Sequence, residues 1–250
     1  MRSCRFVLPF ALLLVACNGG DGNILQGYVE AEYVDVAAGV PGRIEQLTVD
    51  NGDSVTTGQA LFRLEGEIER TQAAAAEANL KIARLNLQRL KELKSGDFSS
   101  QQSLDQAKAA LTVAEQEAKA ATWRLGQTEQ AAPAAGRISE VFYRKGEWVA
   151  AGHPVVRLLP EGSVKLRFFV PESGVGGWHL GDRVTATCDG CPKPVKATVT
   201  FIATEAEFTP PVIFSRESRE KLVVMMEAKP NDAGKHLHVG QPVDVIRENP

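Results

Sequence analysis

Apolar and polar positions between residues 37 and 64 (AAGVPGRIEQLTVDNGDSVTTGQALFRL) alternate as a strand, a tight Gly-acidic turn and a second strand after another glycine. The same pattern returns 94 residues later, at 131–158 (AAPAAGRISEVFYRKGEWVAAGHPVVRL), with nothing inserted or deleted. Ala37, Ala38, Gly42, Arg43, Ile44, Gly52, Val55, Gly58, Arg63 and Leu64 recur unchanged, and Leu47, Leu61 and Phe62 keep their apolar character as Val141, Val155 and Val156. One copy is too short to bury a core, but two packed face to face form a small sandwich.

The residues between the copies change period. From Glu67 to about Lys94 the chain is rich in Ala, Glu, Leu and Arg, Ser95-Gly96-Asp97 interrupts it, and a second such stretch runs from Ser100 to about Leu125. Gly96 reads as a helix stop and Ser100 or Ser103 as a helix start. In the second stretch Leu104, Leu111, Ala118 and Leu125 recur every seven, with Ala107, Ala114 and Ala121 between them; in the first, Ile68, Ala75 and Ile82 alternate with Thr71, Ala78 and Leu85. These heptads predict a short antiparallel coiled coil, with close Ala-rich packing, projecting ~40 Å. Continuing the first heptad series lands on Arg89 and Glu92, so the expected seam ends before the tip.

Beyond residue 160, Val164–Val170, Arg183–Cys188, Val195–Thr204, Leu222–Ala228 and Val239–Ile246 read as short strands between Gly- and Pro-rich turns, giving a small all-β barrel or sandwich. Phe208 to Phe214 is too Pro-rich for a central strand and is assigned to an edge or a crossing loop.

Charge adds an exclusion. The 28 basic and 31 acidic residues nearly balance and are interspersed, so nucleic-acid binding is not expected. No catalytic or phosphate-cradling motif stands out. His236 and His238 read as ordinary strand surface, and Glu205 and Glu207 as solvated turn residues. The chain is therefore not expected to be an enzyme or to hold a metal.

The N-terminus sets the compartment. Arg2 and Arg5 precede an apolar run from Phe6 to Ala16 that ends in Leu14-Val15-Ala16-Cys17, the pattern of a bacterial lipoprotein signal. Cys17 is then the lipidated first residue, followed by an Asn18–Asn23 tether. Cys188 and Cys191, in Cys-Asp-Gly-Cys-Pro, read as a structural disulfide closing a hairpin turn; a metal site and free or redox-active thiols are the alternatives.

The repeated strand–turn–strand resembles biotinyl and lipoyl carrier domains, but neither Arg43–Val49 nor Arg137–Tyr143 contains the modifiable Lys, so no covalent cofactor is expected. A lipoyl-like domain split by a helical hairpin and followed by a β-barrel resembles the HlyD-type membrane fusion proteins, the periplasmic adaptor subunits of tripartite efflux and secretion systems. The fold class this implies is mainly β with an α-helical hairpin: a split biotinyl/lipoyl-like sandwich, an inserted antiparallel coiled coil and a C-terminal β-barrel. The boundaries fall at 1–16 (signal peptide), 17–34 (tether and leading strand), 35–66 and 131–160 (lipoyl-like halves), 67–130 (hairpin) and 161–250 (barrel).

The resemblance further implies an inner-membrane transporter, closest to the ABC type with the RND type as alternative, a TolC-like outer-membrane channel, and a hexameric ring of adaptors. It also implies a channel-binding pattern of Arg-x3-Leu-x6-Ser, which Arg89, Leu93 and Ser100 fit. Lipid on Cys17 then holds the protein at the inner membrane. The competing readings are a periplasmic ligand-binding or envelope lipoprotein without a channel partner, which leaves the long hairpin unexplained, and a thiol–disulfide enzyme built on Cys188 and Cys191.

Overall fold

The computed structural model describes residues 24–95, 100–189, 191–208, 222–232, 234 and 237–248. Cys17 with the signal and tether, Gly96, the Pro-rich segment after Phe208 and His236 lie outside them. Regular structure begins with β1 (Leu25–Ala31), β2 (Val34–Ala37), β3 (Gly42–Leu47), β4 (Ser54–Val55) and β5 (Ala60–Leu64). Two helices follow, α1 (Glu67–Ser95) and α2 (Gln101–Gly126), then β6 (Glu129–Ala131), β7 (Gly136–Val141), β8 (Trp148–Val149) and β9 (Pro154–Pro160). The last strands are β10 (Val164–Pro171), β11 (Arg183–Thr187), β12 (Val195–Phe208), β13 (Leu222–Pro230) and β14 (Pro242–Arg247). The fold is mainly β with an α-helical hairpin, in two compact units, one built on Glu30–Lys165 and the other on Leu166–Asp232.

The first unit shows why the repeat exists. Its sheets have the orders β2-β9-β7-β4 and β6-β5-β3-β8, so each takes two strands from each copy. A shift of 94 residues carries one sheet onto the other. The turn hydrogen bonds obey the same shift: the amide of Gly52 donates to the carbonyl of Ile138 at 2.8 Å, and the amide of Gly146 to that of Ile44 at 2.8 Å. Gly52 and Gly146 reach these positions with φ of 92° and 91°, a conformation that side-chain-bearing residues avoid. Between the sheets, Ile44, Val55, Leu61 and Leu64 meet their counterparts Ile138, Val149, Val155 and Leu158, all buried. Neither copy has a complete sheet alone.

The repeated arginines follow from the same exchange. Arg157 donates from Nε to Asp35 Oδ1 at 2.7 Å and from Nη2 to Oδ2 at 3.0 Å, joining β9 to the edge strand β2. Ninety-four residues earlier, Arg63 approaches Glu129 at 3.9 Å, joining β5 to the edge strand β6. The hydrogen bond from Arg157 holds the Asp35 carboxyl below its ordinary range. A depressed folded-state value places this contribution above the unfolded carboxylate pKa, near about 3.9, and removes it as pH falls through the folded value. Asp35→Asn is therefore expected to cost about 0.2–1 kcal/mol at neutral pH, the range of a partly exposed pair. Thermal melts should show this cost at pH 7 and its loss as acid protonates the Asp35 carboxyl.

The second unit contains a closed barrel in the order β1-β10-β13-β12-β11-β14. Val29, Leu166, Phe168, Val184, Met226 and Val245 fill it. The closing strand lies outside residues 161–250: β1 pairs antiparallel with β14, Leu25 opposite Val245. The leading stretch around Gln26–Val36 thus divides, β1 serving the barrel and β2 the sandwich. Among the described residues no helix is long and apolar enough to cross a membrane.

Candidate functional site

The helical hairpin is the feature that the sandwich positions and packing does not fully use. At about 1.5 Å per residue, α1 and α2 run ~44 and ~39 Å. Their root is tied into the sandwich. The Leu64 amide donates to the Thr128 carbonyl at 2.8 Å, and the Glu65 amide to the Arg43 carbonyl at 2.8 Å. Thr128, buried between helix and strand, donates its hydroxyl to the Leu125 carbonyl at 2.7 Å. Glu67 and Glu69 occupy the first turn of α1, and Arg124 the last turn of α2, each complementing the helix dipole.

The seam of α2 lies where its heptads place it: Leu104, Ala107, Ala114, Ala118 and Ala121 are buried. The seam of α1 does not. Leu80 and Leu87 are buried there, with Ala76, Ala83 and Leu90 packed beside them against Leu104, Ala107, Leu111, Ala114 and Ala118. The positions expected to form it face away: Ile68, Ile82 and Leu85 are 69%, 65% and 49% exposed. The physical reason is that α1 carries two heptad series. Leu87 and Leu90 extend the one that meets the Ala-rich face of α2 toward the tip, whereas the other ends in Arg89 and Glu92.

Arg89 and Leu93 are exposed on the last turns of α1. Ser100 sits across the connection as the N-cap of α2, accepting from the Ser103 amide at 3.1 Å. All three therefore stand at the end of the hairpin remote from the sandwich. Cys188 and Cys191 follow β11 as a disulfide pair, Cα atoms 5.3 Å apart, in the unit that contains the barrel. Among the described residues no group of three His, Cys, Asp or Glu side chains is placed to hold a metal ion. Sequence reasoning took the outward series of α1 for its seam and missed the outward series of α2. The signal was present, because Ala109, Val113, Ala120 and Trp123 fall on heptad spacing apart from the α2 seam.

Comparison with known proteins agrees with this architecture. Residues 67–128 match the model of the RND membrane fusion protein alpha-helical hairpin domain. An uncharacterized protein of Haemophilus influenzae is 31% identical over 148 residues; the match covers 59% of this chain and 39% of that protein's length. The UPF0194 membrane protein YbhG of Salmonella gallinarum is 25% identical over 294 residues, covering 90% of this chain and 88% of the relative. Among solved structures, a MacA–MexA chimera carrying the Pseudomonas aeruginosa MexA α-hairpin domain superimposes with a TM-score of 0.72 at 20% identity, covering 90% of this chain and 79% of that one. The chain is therefore similar in fold to the membrane fusion protein chimera, and its residues 67–128 are similar to the alpha-helical hairpin domain of RND membrane fusion proteins.

Proposed function

We propose that the protein is a periplasmic adaptor, held by lipid on Cys17 at the inner membrane, that joins an inner-membrane transporter to a TolC-like outer-membrane channel. The observation that carries this reading is the ~40 Å hairpin, rooted by hydrogen bonds in the sandwich and exposing Arg89, Leu93 and Ser100 at its far end. Leu93 supplies apolar burial against channel helices, and Arg89 and Ser100 meet their polar groups. The protein carries out no bond chemistry. Its disulfide braces the chain end of β11. The transporter is of the ABC type in this reading; the RND-type reading rests on the hairpin-domain match over 67–128. Copurification of the transporter decides between them.

A photo-reactive residue at Leu93, compared in intact cells with one at Ala78, tests the adaptor role. Capture of an outer-membrane channel from position 93 and not from 78 is the expected result. Absence of capture from 93, in cells that express both proteins, overturns it.

A further inference from the structure

The repeat that builds the sandwich leaves its two sheets unequal along one row of residues. In the sheet β6-β5-β3-β8 the row is Trp148, Arg43 and, just past β5, Glu65; in β2-β9-β7-β4 a shift of 94 residues makes it Ser54, Arg137 and Leu159. Arg43 lies opposite Trp148, donates from Nη1 to the Gly146 carbonyl at 2.8 Å and approaches Glu65 at 3.6 Å. Arg137 lies opposite Ser54 on one strand and Leu159 on the other. Its exposed guanidinium has no hydrogen-bond or ion-pair partner among the described residues.

A second charge has lost its partner in the same way. Glu67, which opens α1, pairs with Arg70 at 2.6 Å. At the same shift Glu161 follows β9, and Val164 stands where Arg70 did. Glu161 is exposed and its carboxylate, too, has no partner among the described residues. The two replacing residues, Leu159 and Val164, line one groove of about 740 Å³ together with Arg137 and Glu161 themselves. That volume falls within the ~300–1,000 Å³ of small-ligand sites. The lining belongs entirely to the unit that contains the sandwich. Ser54 and Ser139 bring hydroxyls without side-chain partners to the groove, and Leu237 and Val239 add apolar surface.

From this we infer that the groove binds a short apolar peptide with both ends free, its carboxylate on Arg137 and its ammonium on Glu161. The guanidinium fork matches a carboxylate, and the Glu161 carboxylate accepts hydrogen bonds from an ammonium. A ligand with one charge satisfies only one of these groups and is repelled by the other. Leu159, Val164 and Leu237 take the apolar side chains, while the serine hydroxyls, each donor and acceptor, serve the peptide N–H and C=O groups. The first half of the repeat satisfies its own charges; the second half leaves them for a ligand. The inference concerns the sandwich and stands apart from the adaptor reading.

The test measures binding of leucyl-leucine to the full-length chain by calorimetry, beside acetyl-leucyl-leucine, which lacks the ammonium, and leucyl-leucinamide, which lacks the carboxylate. Each capped peptide is expected to bind about tenfold more weakly than the free one. Glu161→Gln should abolish the penalty for acetylation and retain that for the amide, and Arg137→Gln should do the reverse. Both side chains are exposed, so neither change removes a buried group. Equal binding of all three peptides by the parent overturns the inference, as does a penalty that survives in its matching variant. Tighter binding of the acetylated peptide overturns it in favour of simple organic anions, and absence of binding at millimolar peptide overturns it outright. Channel capture from position 93 is read separately, so failure here and failure of the adaptor reading are distinguished.

Discussion

Alanine in place of Gly136 is expected to destabilise the sandwich severely, whereas the same change at Gly42, its counterpart 94 residues earlier, leaves it folded. The sequence treats the two glycines alike, and the backbone does not. Gly136 lies opposite Pro160 where β7 pairs with β9. A Cβ there overlaps the Leu159 carbonyl oxygen and comes within 2.9 Å of Pro160 Cα. Both obstacles are backbone, so relief requires β7 and β9 to part. At Gly42 the nearest neighbours are Leu64 Cβ at 3.4 Å and Glu65 O at 3.5 Å, which are ordinary contacts. Gly136→Ala should cost about 3 kcal/mol, the upper end of overpacking, and Gly42→Ala should fall within about 1 kcal/mol of the parent in either direction. Urea melts of the two variants measure the difference. Equal midpoints would show that the strands separate more easily than their pairing implies.

The second large effect separates the two faces of α1. Leu80→Glu places a carboxylate in the apolar seam against Ala114 and Ala118. The loss of Leu burial and the desolvated charge together should cost about 3 kcal/mol or more, and the coiled coil should lose cooperative helicity. Ile82→Glu, two residues away, faces solvent and should change stability by no more than about 0.5 kcal/mol. Helical circular dichroism on heating distinguishes them. A hairpin that melts early with Glu at 82 and normally with Glu at 80 would restore the register first expected from the heptads.

Much of the architecture is legible before any coordinates, for reasons that particular residues show. The recurring Ile44/Ile138 and Leu64/Leu158 pairs are buried because an exchange of strands requires the same apolar positions in each copy. The α2 seam is also legible, since Leu104 and Leu111 have no competing series of equal bulk. In α1 both faces mix large residues with alanine: Leu80, Leu87, Ala76 and Ala83 on the inner, Ile68, Ile82, Ala75 and Ala78 on the outer. Periodicity identifies a face; it does not say which neighbour covers it, and α1 has two. The role of β1 is illegible for a different reason. Its partner is β14, and no local pattern announces a pairing across almost the whole chain. For the tip, Arg89, Leu93 and Ser100 are legible as a spacing only, and the N-cap bond of Ser100 emerges from the backbone of α2.

The pairing of β1 with β14 also imposes an order in time. Contacts close in sequence form first, and each longer loop must be closed against its entropy before its contacts repay it. The α1–α2 pairing is local and needs only its own residues. The sandwich waits for β9, because β2 has no neighbour until then. The barrel waits longest: β1 is among the first strands of the chain and must remain without its β14 partner until everything between has been made and delivered. During that interval it is an open edge able to recruit strands from other molecules. Slow translocation or a stalled barrel should therefore be felt first as aggregation through β1, in a protein whose hairpin and sandwich are already formed.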